Sequence, residues 1–258
     1  MPDPASSPAH APSAAEAFAE LECLLDANAP GLRATLPPGF ADAVTRYVEL
    51  LLVANDRLNL TRVVEPAEVA RLHLLDALSA LPTIDERPAA GATIDLGSGG
   101  GVPGIVLALA RPTMRWALVD SVGRKADALR GMVESLSLTN VDVSAQRAEL
   151  LGHDPQWRES ADLVTARACA PLPVLAEYAL PLLRSGGRLV AWKGPIGDAE
   201  LAAGARAAEL LGGARPEVRG TGIDALGDHR FVVVEKTTPT PPRYPRRPGE
   251  PSRRALGG

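Results

Sequence analysis

The stretch DLGSGGGVPG, from Asp95 to Gly104, is the part of this sequence whose residue types and spacing most directly suggest chemistry. It stands between an apolar run typical of a strand and an apolar pattern typical of a helix, with Pro103 in the first helical turn. Its glycines let the backbone turn sharply and approach a ligand, because no Cβ intervenes. Free N–H groups at the start of the helix favour an anionic group. The stretch therefore predicts a binding loop for a nucleotide-like ligand.

Asp120 ends the second predicted strand, where a carboxylate can accept hydrogen bonds from two ribose hydroxyls. S-adenosylmethionine and NAD both carry such a ribose, and the spacing Gly99-x-Gly101-x-x-Gly104 also matches the dinucleotide fingerprint. For S-adenosylmethionine, the start of the helix would bind the carboxylate of the methionine moiety. Asp95 would meet its ammonium directly or through water. An NAD-dependent oxidoreductase is disfavoured, because no Tyr-x-x-x-Lys pair follows the later strands.

Three further strand ends carry polar side chains that would face the same crevice. Ala148 and Glu149 follow the third predicted strand, where adenine recognition is expected, and Arg167 follows the fourth. Lys193 ends the fifth strand, where it could meet a phosphate or a base, or extend along the surface. These positions predict one ligand crevice at the carboxyl ends of the strands.

Short apolar runs alternate with helical patterns from about Ala92 onward, which is typical of a parallel sheet built from βα units. The last two runs have no helix between them and are expected to pair antiparallel at one sheet edge. The predicted fold class is α/β, a Rossmann-like seven-stranded fold. The strands are expected at 92–96, 115–119, 141–145, 162–165, 187–192, 215–220 and 230–235, and the helices at 103–110, 123–137, 171–184 and 198–211.

An N-terminal helical subdomain is predicted at residues 14–85, ahead of the Rossmann-like domain at 86–236. Apolar residues recur there at helical spacing in three segments. The third segment has Pro66 in its first turn, a position that proline tolerates well. The apolar residues are Phe18, Leu21 and Leu25 in the first segment, Val44, Val48, Leu51 and Leu52 in the second, and Val69, Leu72, Leu75 and Leu78 in the third.

The composition is that of a soluble globular protein, with 46% hydrophobic and 22% charged residues among 258. No apolar stretch reaches the roughly 20 residues of a membrane helix, and the N-terminus lacks a signal-peptide pattern, so a cytoplasmic location is expected. Cys23 and Cys169 lack the spacing of metal ligands and are expected to be small buried hydrophobic residues. We predict no metal site and expect a monomer.

Both ends of the chain are expected to be disordered. Residues 1–13 are mostly Pro, Ala and Ser, and residues 237–258 are rich in Pro and Arg. The C-terminal segment has five arginines and one glutamate, so it carries a charge of +4 on a chain whose remainder carries −8. A basic segment on an acidic body suggests an anionic partner, with nucleic acid the first candidate. A solvated, disordered end explains the same composition, and both interpretations stay open here.

Several short motifs follow one another between about Tyr47 and Gly194. Together, their order and spacing resemble the RsmG family, also called glucose-inhibited division protein B. One departure is Ala77-Leu78, where the family often has a serine, so the surroundings of Asp76 differ. The motifs are Asn59-Leu60-Thr61, His73-Leu74-Leu75-Asp76, the loop Asp95–Gly104, Leu118-Val119-Asp120-Ser121, Arg147-Ala148-Glu149, Ala166-Arg167-Ala168 and Trp192-Lys193-Gly194.

The resemblance implies the S-adenosylmethionine-dependent methyltransferase fold and a small-subunit rRNA guanine-N7 methyltransferase. Its substrate would be guanine 527 in the 530 loop of 16S rRNA, in the small ribosomal subunit or an assembly intermediate. The candidate substrate contacts are Arg167, from its strand end and the family pattern, Lys193, from its strand end, and His73, which stands in one of the shared motifs. Together, the loop and the resemblance make Asp95, Gly97, Gly99, Gly101, Val102, Asp120, Ala148, Glu149 and Arg167 the candidate cofactor contacts.

The chemistry of guanine N7 explains why no general base is assigned. N7 already presents a lone pair, so in-line attack on a sulfonium methyl group needs positioning and electrostatics rather than proton removal. A C5-pyrimidine methyltransferase would need a cysteine nucleophile, and Cys169 is the candidate near the site. A protein that keeps the fold but only binds RNA is a further alternative. The intact loop together with Asp120 argues against it.

Overall fold

The computed structural model describes residues 10–86 and 91–257, which contain a seven-stranded sheet in the order β3-β2-β1-β4-β5-β7-β6. The first five strands are parallel, whereas β7 runs antiparallel to both β5 and β6. The predicted fold class and the antiparallel pair at one edge are confirmed. The strands are β1 Ala92–Leu96, β2 Arg115–Val119, β3 Val141–Ser144, β4 Ala161–Arg167, β5 Leu183–Lys193, β6 Glu217–Gly220 and β7 Arg230–Glu235.

Helices at the predicted apolar segments form the N-terminal part. The third segment differs from the prediction, because its middle is a π-helix, Val69–Leu75, between two short α-helical turns. It carries His73 in its last turn, and π-helical turns are often found at functional sites. The helices here are α1 Ala11–Asn28, α2 Pro30–Arg33, α3 Phe40–Leu58, α4 Pro66–Glu68, α5 Asp76–Leu78 and α6 Leu81–Asp85.

The four helices predicted among the strands lie close to their predicted positions, with one exception. The helix predicted at 171–184 ends at Ala179, and β5 already begins at Leu183. Pro181 lacks the N–H that a continuing helix needs, so the chain leaves the helix there. These helices are α7 Gly104–Ala110, α8 Gly123–Ser135, α10 Leu172–Ala179 and α11 Asp198–Leu210. Two short helices were not predicted, α9 Ala148–Leu151 and α12 Glu250–Arg253.

Side chains alternate across the sheet and divide the core into two layers. Val190 and Trp192 of β5 pack with the N-terminal helices, α7 and α8. Leu189 and Ala191 of the same strand pack with α10 and α11 on the opposite face. The N-terminal helices therefore cover one face of the sheet, and the crevice at the strand ends lies beside them.

The C-terminal segment differs from its prediction. Residues 237–257, which we name the C-terminal strap, lie against the layer of α9, α10 and α11, and Tyr244 is buried in that core. The strap is ordered because charged partners in the body, Glu177 and Glu149 among them, hold it. At the other end, α1 includes residues 11–13, so they are helical rather than disordered, and residues 1–9 lie outside the described residues.

The two cysteines differ from their prediction. Cys23 and Cys169 are exposed rather than buried. Cys23 is on the outer side of α1, whose buried side is formed by Ala14, Ala17, Leu21 and Leu25, and Cys169 lies in the loop after β4. Within the ranges that the structure describes, no helix has both the length and the apolar character needed to cross a membrane.

Candidate active site

The glycine-rich loop connects β1 to α7 and lies against the end of β2. Gly97, Gly99 and Gly101 have φ values of +72°, +55° and +97°, a region that side-chain-bearing residues rarely adopt. The N–H groups of Gly97 and Ser98 donate to the carbonyl oxygen of Val119 at 2.8 and 3.1 Å. The loop therefore folds back over β2 and brings its backbone close to the strand that carries Asp120.

A cavity of about 330 Å³ opens beside this loop, and we name it the acidic cavity. Asp120 and Glu149 are 7% and 4% exposed, and both carboxylates border it. The predicted contacts Gly97, Asp120, Ala148 and Glu149 are thus brought together. The full lining is Leu96, Gly97, Val119, Asp120, Ser121, Lys125, Gln146, Arg147, Ala148, Glu149, Ala168, Cys169 and Tyr178.

The Asp120 carboxylate also organises the protein around the cavity. Its Oδ2 accepts a hydrogen bond from the Gly99 N–H at 3.0 Å, and its Oδ1 accepts one from the Val122 N–H at 2.8 Å. Each carboxylate oxygen can accept more than one hydrogen bond, so both keep capacity for a ligand. Asp120 therefore connects the glycine-rich loop to the start of α8 and can still face a ribose.

Asp95, Gly101 and Val102 lie behind the loop rather than on the cavity wall. Asp95 is fully buried, and its Oδ1 accepts a hydrogen bond from the Thr165 hydroxyl at 2.7 Å. Burial raises the pKa of this carboxyl to about 6. Gly101 and Val102 face the N-terminal helices, where the Tyr47 hydroxyl donates to the Gly100 carbonyl at 2.9 Å. These residues support the loop from the inside.

A second cavity of about 320 Å³ adjoins the first at Ala168 and Cys169, and we name it the arginine cavity. Arg167 and Lys193, predicted from their strand ends, both border it. It lies where the sheet meets the N-terminal helices. The full lining is Asp76, Ala166, Arg167, Ala168, Cys169, Ala170, Leu175, Trp192, Lys193, Gly194 and His229.

Arg167 reaches from β4 across to the π-helix and α5. Its guanidinium donates to the Leu72 carbonyl at 2.5 Å, to Asp76 Oδ2 at 3.2 Å and to His73 Nδ1 at 3.2 Å. The planar fork of an arginine fixes the directions of its several N–H donors, whereas the ammonium of a lysine rotates freely. Arg167 is therefore held in one orientation between the two parts of the chain, with its side chain 21% exposed.

His73 is held in one tautomer by its neighbours. Arg167 can only donate, so Nδ1 is the acceptor, and Nε2–H then donates to the Thr61 hydroxyl at 2.8 Å. Burial, followed by the nearby positive charge of Arg167, lowers the pKa of His73 to about 4. His73 is therefore neutral near pH 7, and both of its ring nitrogens are engaged in supporting Arg167.

Asp76 and His229 are two site residues that were absent from the predicted set. Asp76 is 2% exposed, and its Oδ1 accepts a hydrogen bond from His229 Nδ1 at 2.9 Å. Trp192 Nε1–H donates to the Asp76 carbonyl at 2.9 Å. Asp76 stood in a motif that could have flagged it, whereas His229 follows a turn before β7 and has no local signal. The Ser79 hydroxyl donates to the Asp76 carbonyl at 2.7 Å and supports the same turn.

Lys193 and Cys169 take up different positions at the junction of the cavities. Lys193 Nζ donates to the Ala170 carbonyl at 3.0 Å and to Glu200 Oε1 at 2.8 Å, so its charge is already paired. Cys169 is exposed as a residue, but its Sγ lies against Gly97, where desolvation followed by nearby carboxylates raises the pKa of the thiol to about 11. The lysine braces the loop after β4, and the cysteine remains a thiol near neutral pH.

The chain matches known proteins in both sequence and fold. The family model described as GidB, rRNA small subunit methyltransferase G, matches residues 41–224. Relatives named ribosomal RNA small subunit methyltransferase G include one from Moorella thermoacetica, 41% identical over 86% of this chain and 92% of that protein. Another, from Chloroflexus aggregans, is 44% identical over 82% of this chain and 88% of that protein.

Solved structures show the fold at low sequence identity. A putative S-adenosylmethionine-dependent methyltransferase from Methanococcus maripaludis superposes with a TM-score of 0.51 at 15% identity, covering 73% of this chain and 94% of that one. The CurJ carbon methyltransferase has the same TM-score at 14% identity, covering 89% and 69%. The fold is thus the Rossmann-like methyltransferase fold that binds S-adenosylmethionine, as the sequence predicted. On the sequence matches, the chain belongs to the GidB family of rRNA small subunit methyltransferases G.

Proposed function

We propose that this methyltransferase transfers a methyl group from S-adenosylmethionine to N7 of guanine 527, in the 530 loop of 16S rRNA. The observation that supports it best is the junction of two cavities at Ala168 and Cys169. The acidic cavity offers carboxylate acceptors, and the arginine cavity offers an oriented guanidinium. Such an arrangement suits a methyl donor on one side and an electron-rich base on the other.

The acidic cavity fits the proposed donor by the chemistry of its walls. Asp120 and Glu149 are nearly buried acceptors that suit hydroxyl and amino groups, and the exposed Gly97 leaves backbone approachable between them. Asp120 would hold the ribose, and Ala148 with Glu149 would hold the adenine side. When bound, S-adenosylmethionine supplies an electrophilic methyl group on its sulfonium. Everything else in the reaction depends on how the chain positions the base.

Transfer to N7 requires no group that removes a proton, so His229, which lines the arginine cavity with its Nδ1 held by Asp76, needs no role as a base. Both nitrogens of His73 are engaged, and both carboxylate oxygens of Asp76 have partners. The acceptor N7 has its own lone pair, so the task is orientation in a site that excludes water. Arg167 can donate to the edge of a guanine, as arginines commonly do at O6. This supports a mechanism without a general base.

The thiol of Cys169 disfavours the competing C5-pyrimidine chemistry. That reaction needs a thiolate nucleophile, and reactive cysteines have a lowered pKa. Here the pKa of Cys169 is raised to about 11, so the nucleophilic form is scarce at neutral pH.

We further propose that the chain works as a monomer in the cytoplasm, on the small ribosomal subunit or an assembly intermediate.

Mass mapping of 16S rRNA tests this function directly. Fragments covering the 530 loop are compared from cells with the gene, without it, and with it restored. We expect one methyl group on guanine 527 to disappear on deletion and to return on restoration, with reactivity typical of N7-methylguanine. Loss of a methyl group from a different nucleotide, or from C5 of a pyrimidine, would refute the proposed target.

A further inference from the structure

The C-terminal strap crosses the outside of α9, α10 and α11. At its start, the buried ammonium of Lys236 and the guanidinium of Arg158 hold it through hydrogen bonds. Lys236 is fully buried, and its Nζ donates to the Leu180 carbonyl at 2.6 Å and to the Thr240 hydroxyl. Arg158 then donates to the carbonyls of Thr240 and Tyr244 at 2.7 and 2.9 Å. These contacts set the direction in which the strap leaves β7.

The middle of the strap is fastened by an ion pair with α10. Glu177 is fully buried, and Arg246 meets both of its carboxylate oxygens, with Nη2 at 2.6 Å from Oε2 and Nε at 2.9 Å from Oε1. The Arg246 N–H donates to the same carboxylate at 2.8 Å. A buried carboxylate needs such compensation, because an unpaired charge away from water is costly. Arg246 therefore fixes this part of the strap to α10.

Three residues beyond Arg246, the strap reaches the wall of the acidic cavity. The Gly249 N–H donates to Glu149 Oε1 at 2.8 Å, and Gly249 adopts a φ of +80°. Ser252 interacts with the hydroxyl of Tyr178, and Tyr178 borders the same cavity. The strap thus contacts two residues of the cavity wall from behind. Glu149 Oε1 accepts one hydrogen bond from the strap, and the remaining lone pairs of the carboxylate stay available to a donor in the cavity.

We propose that the C-terminal strap is a positioning element of the cofactor site, in which the Gly249 N–H orients the Glu149 carboxylate and the Arg246–Glu177 pair holds Gly249 in place. This inference rests on the proposed assignment of Glu149 to the cofactor. Its consequence is a coupling between strap order and cofactor affinity. Because such coupling is reciprocal, a bound cofactor also stabilises the strap.

Arg246 and its neighbour Arg247 provide a matched pair of variants. Arg247 is exposed, so Arg247→Met removes an equal charge without touching Glu177. In the full-length protein, Arg246→Met is expected to weaken binding of S-adenosylhomocysteine about tenfold, as removal of a charge-assisted hydrogen bond implies. The KM for S-adenosylmethionine should rise by a similar factor, with kcat at saturation unchanged. Arg247→Met should bind S-adenosylhomocysteine like the wild type in titration calorimetry.

Two further variants keep the test decisive. Arg246→Lys retains one charged contact with Glu177, so it should fold even if Arg246→Met does not, and its affinity should be intermediate. Glu149→Gln probes the cofactor assignment itself. If Glu149→Gln weakens S-adenosylhomocysteine binding and both Arg246 variants bind it normally, the strap inference is wrong while the site stands. If Glu149→Gln also binds normally, the proposed cofactor site is wrong.

The coupling between cofactor binding and strap order can also be measured from the strap itself. A general loss of stability would not produce this effect. Hydrogen exchange of residues 246–252 should slow when S-adenosylhomocysteine is added to the wild type. In Arg246→Met this protection should be reduced, whereas Arg247→Met should retain it. Equal exchange in this segment with and without S-adenosylhomocysteine would overturn the proposal.

Discussion

The two adjoining cavities are built in different ways. The arginine cavity depends on a closed set of side-chain contacts, in which Arg167, His73, Asp76 and His229 hold one another between the N-terminal helices and the sheet. The acidic cavity depends on backbone turns and on carboxylates that accept from main-chain N–H groups, such as Asp120 from Gly99. We name the four side chains of the arginine cavity the network, and the turns and carboxylates of the acidic cavity the backbone frame.

Because of this difference, single substitutions in the two cavities should change different kinetic quantities. In the network, each side chain has several partners, so one change disorients the group that meets the base and should lower turnover. In the acidic cavity, the backbone turns persist when one carboxylate is replaced. Such a replacement should therefore lower the affinity for the cofactor, while kcat at saturating cofactor is preserved.

Arg167→Ala should have the largest effect. Removing the donor that we propose to face the base is expected to lower methylation of 30S subunits by about 10³-fold, with the fold retained. Arg219→Ala provides a control, because Arg219 pairs with Glu86 and Glu217 at the far edge of the sheet. Both variants are assayed with purified subunits and checked by circular dichroism. Wild-type turnover in Arg167→Ala would remove this residue from the site.

Asp76→Asn should act in the same direction but less strongly. Removing the negative charge that meets Arg167 and His229 is expected to lower kcat roughly 10- to 100-fold. Asp85→Asn is the control, because Asp85 pairs with Arg111 at an exposed position. Single-turnover assays at saturating S-adenosylmethionine measure the effect. A change confined to the KM for S-adenosylmethionine would contradict the contrast between the cavities.

The protonation of His73 should make the free energy of unfolding depend on pH. The pKa of His73 is lowered to about 4 in the folded state by burial and by Arg167, so the unfolded chain, with a pKa near 6.5, binds the proton more tightly. The stability that neutral His73 contributes is present above pH 6.5 and is lost as pH falls towards 4. Between pH 7.5 and 5 the wild type should therefore lose about 2 kcal/mol more unfolding free energy than His73→Gln.

Urea unfolding of the two proteins at both pH values measures that difference. Asp95, whose pKa is raised to about 6 by burial, works in the opposite sense, because stability from a raised carboxyl pKa is lost as pH rises. It is present in both proteins, so its effect cancels in the comparison. Parallel pH dependence of the wild type and His73→Gln would show that His73 does not stay neutral in the folded protein.

Asp120→Asn should lower the affinity for the cofactor without lowering turnover. We expect about tenfold weaker binding of S-adenosylhomocysteine, with kcat at saturation close to that of the wild type. Asp127→Asn, an exposed acid on α8 paired with Arg130, serves as the control. Titration calorimetry and steady-state kinetics separate the two quantities. A loss of kcat that saturating cofactor does not restore would mean that the two cavities do not differ as described.

The exposed arginines of the strap should give the smallest effect. Replacing Arg243, Arg253 and Arg254 with Gln tests whether the basic segment binds RNA. For single-stranded RNA, each arginine that neutralises a phosphate contributes about 0.7 to the slope of log affinity against log salt, so its replacement should flatten that slope by this amount. At one salt concentration, the affinity should fall only a few-fold. Filter binding across a salt series measures the slope, and an unchanged slope would identify these arginines as a solvated face.

Much of the fold could be predicted because its signals are local. The helical spacing at Leu21 and Leu25, the loop from Asp95 to Gly104 and the strand that ends at Asp120 each lie within a few turns of chain. Parallel strands also bring their carboxyl ends to one edge, so residues at different strand ends could be expected to converge. Arg167 and Lys193 confirm this geometry, because they border one cavity.

The errors fall where distant residues decide the outcome. The strap has the composition of a disordered tail, yet its partners Glu177 and Glu149 stand 69 and 100 residues before Arg246 and Gly249. Asp95 was expected to meet the ligand, but its side chain lies inside, where it accepts from Thr165 on the neighbouring strand. His229 joined the site only because β7 returns beside β5.

The sequence by itself therefore determined the α/β class, the glycine-rich loop, the family and the set of strand ends from which the site is made. Tertiary structure alone decided that Asp76 and His229 complete the arginine cavity, that His73 is neutral, and that the C-terminal strap lies behind Glu149. The physical reason is the range of the interactions. Propensity and periodicity act between neighbours in the chain, whereas buried charges are satisfied by whichever residues the fold brings within hydrogen-bond distance.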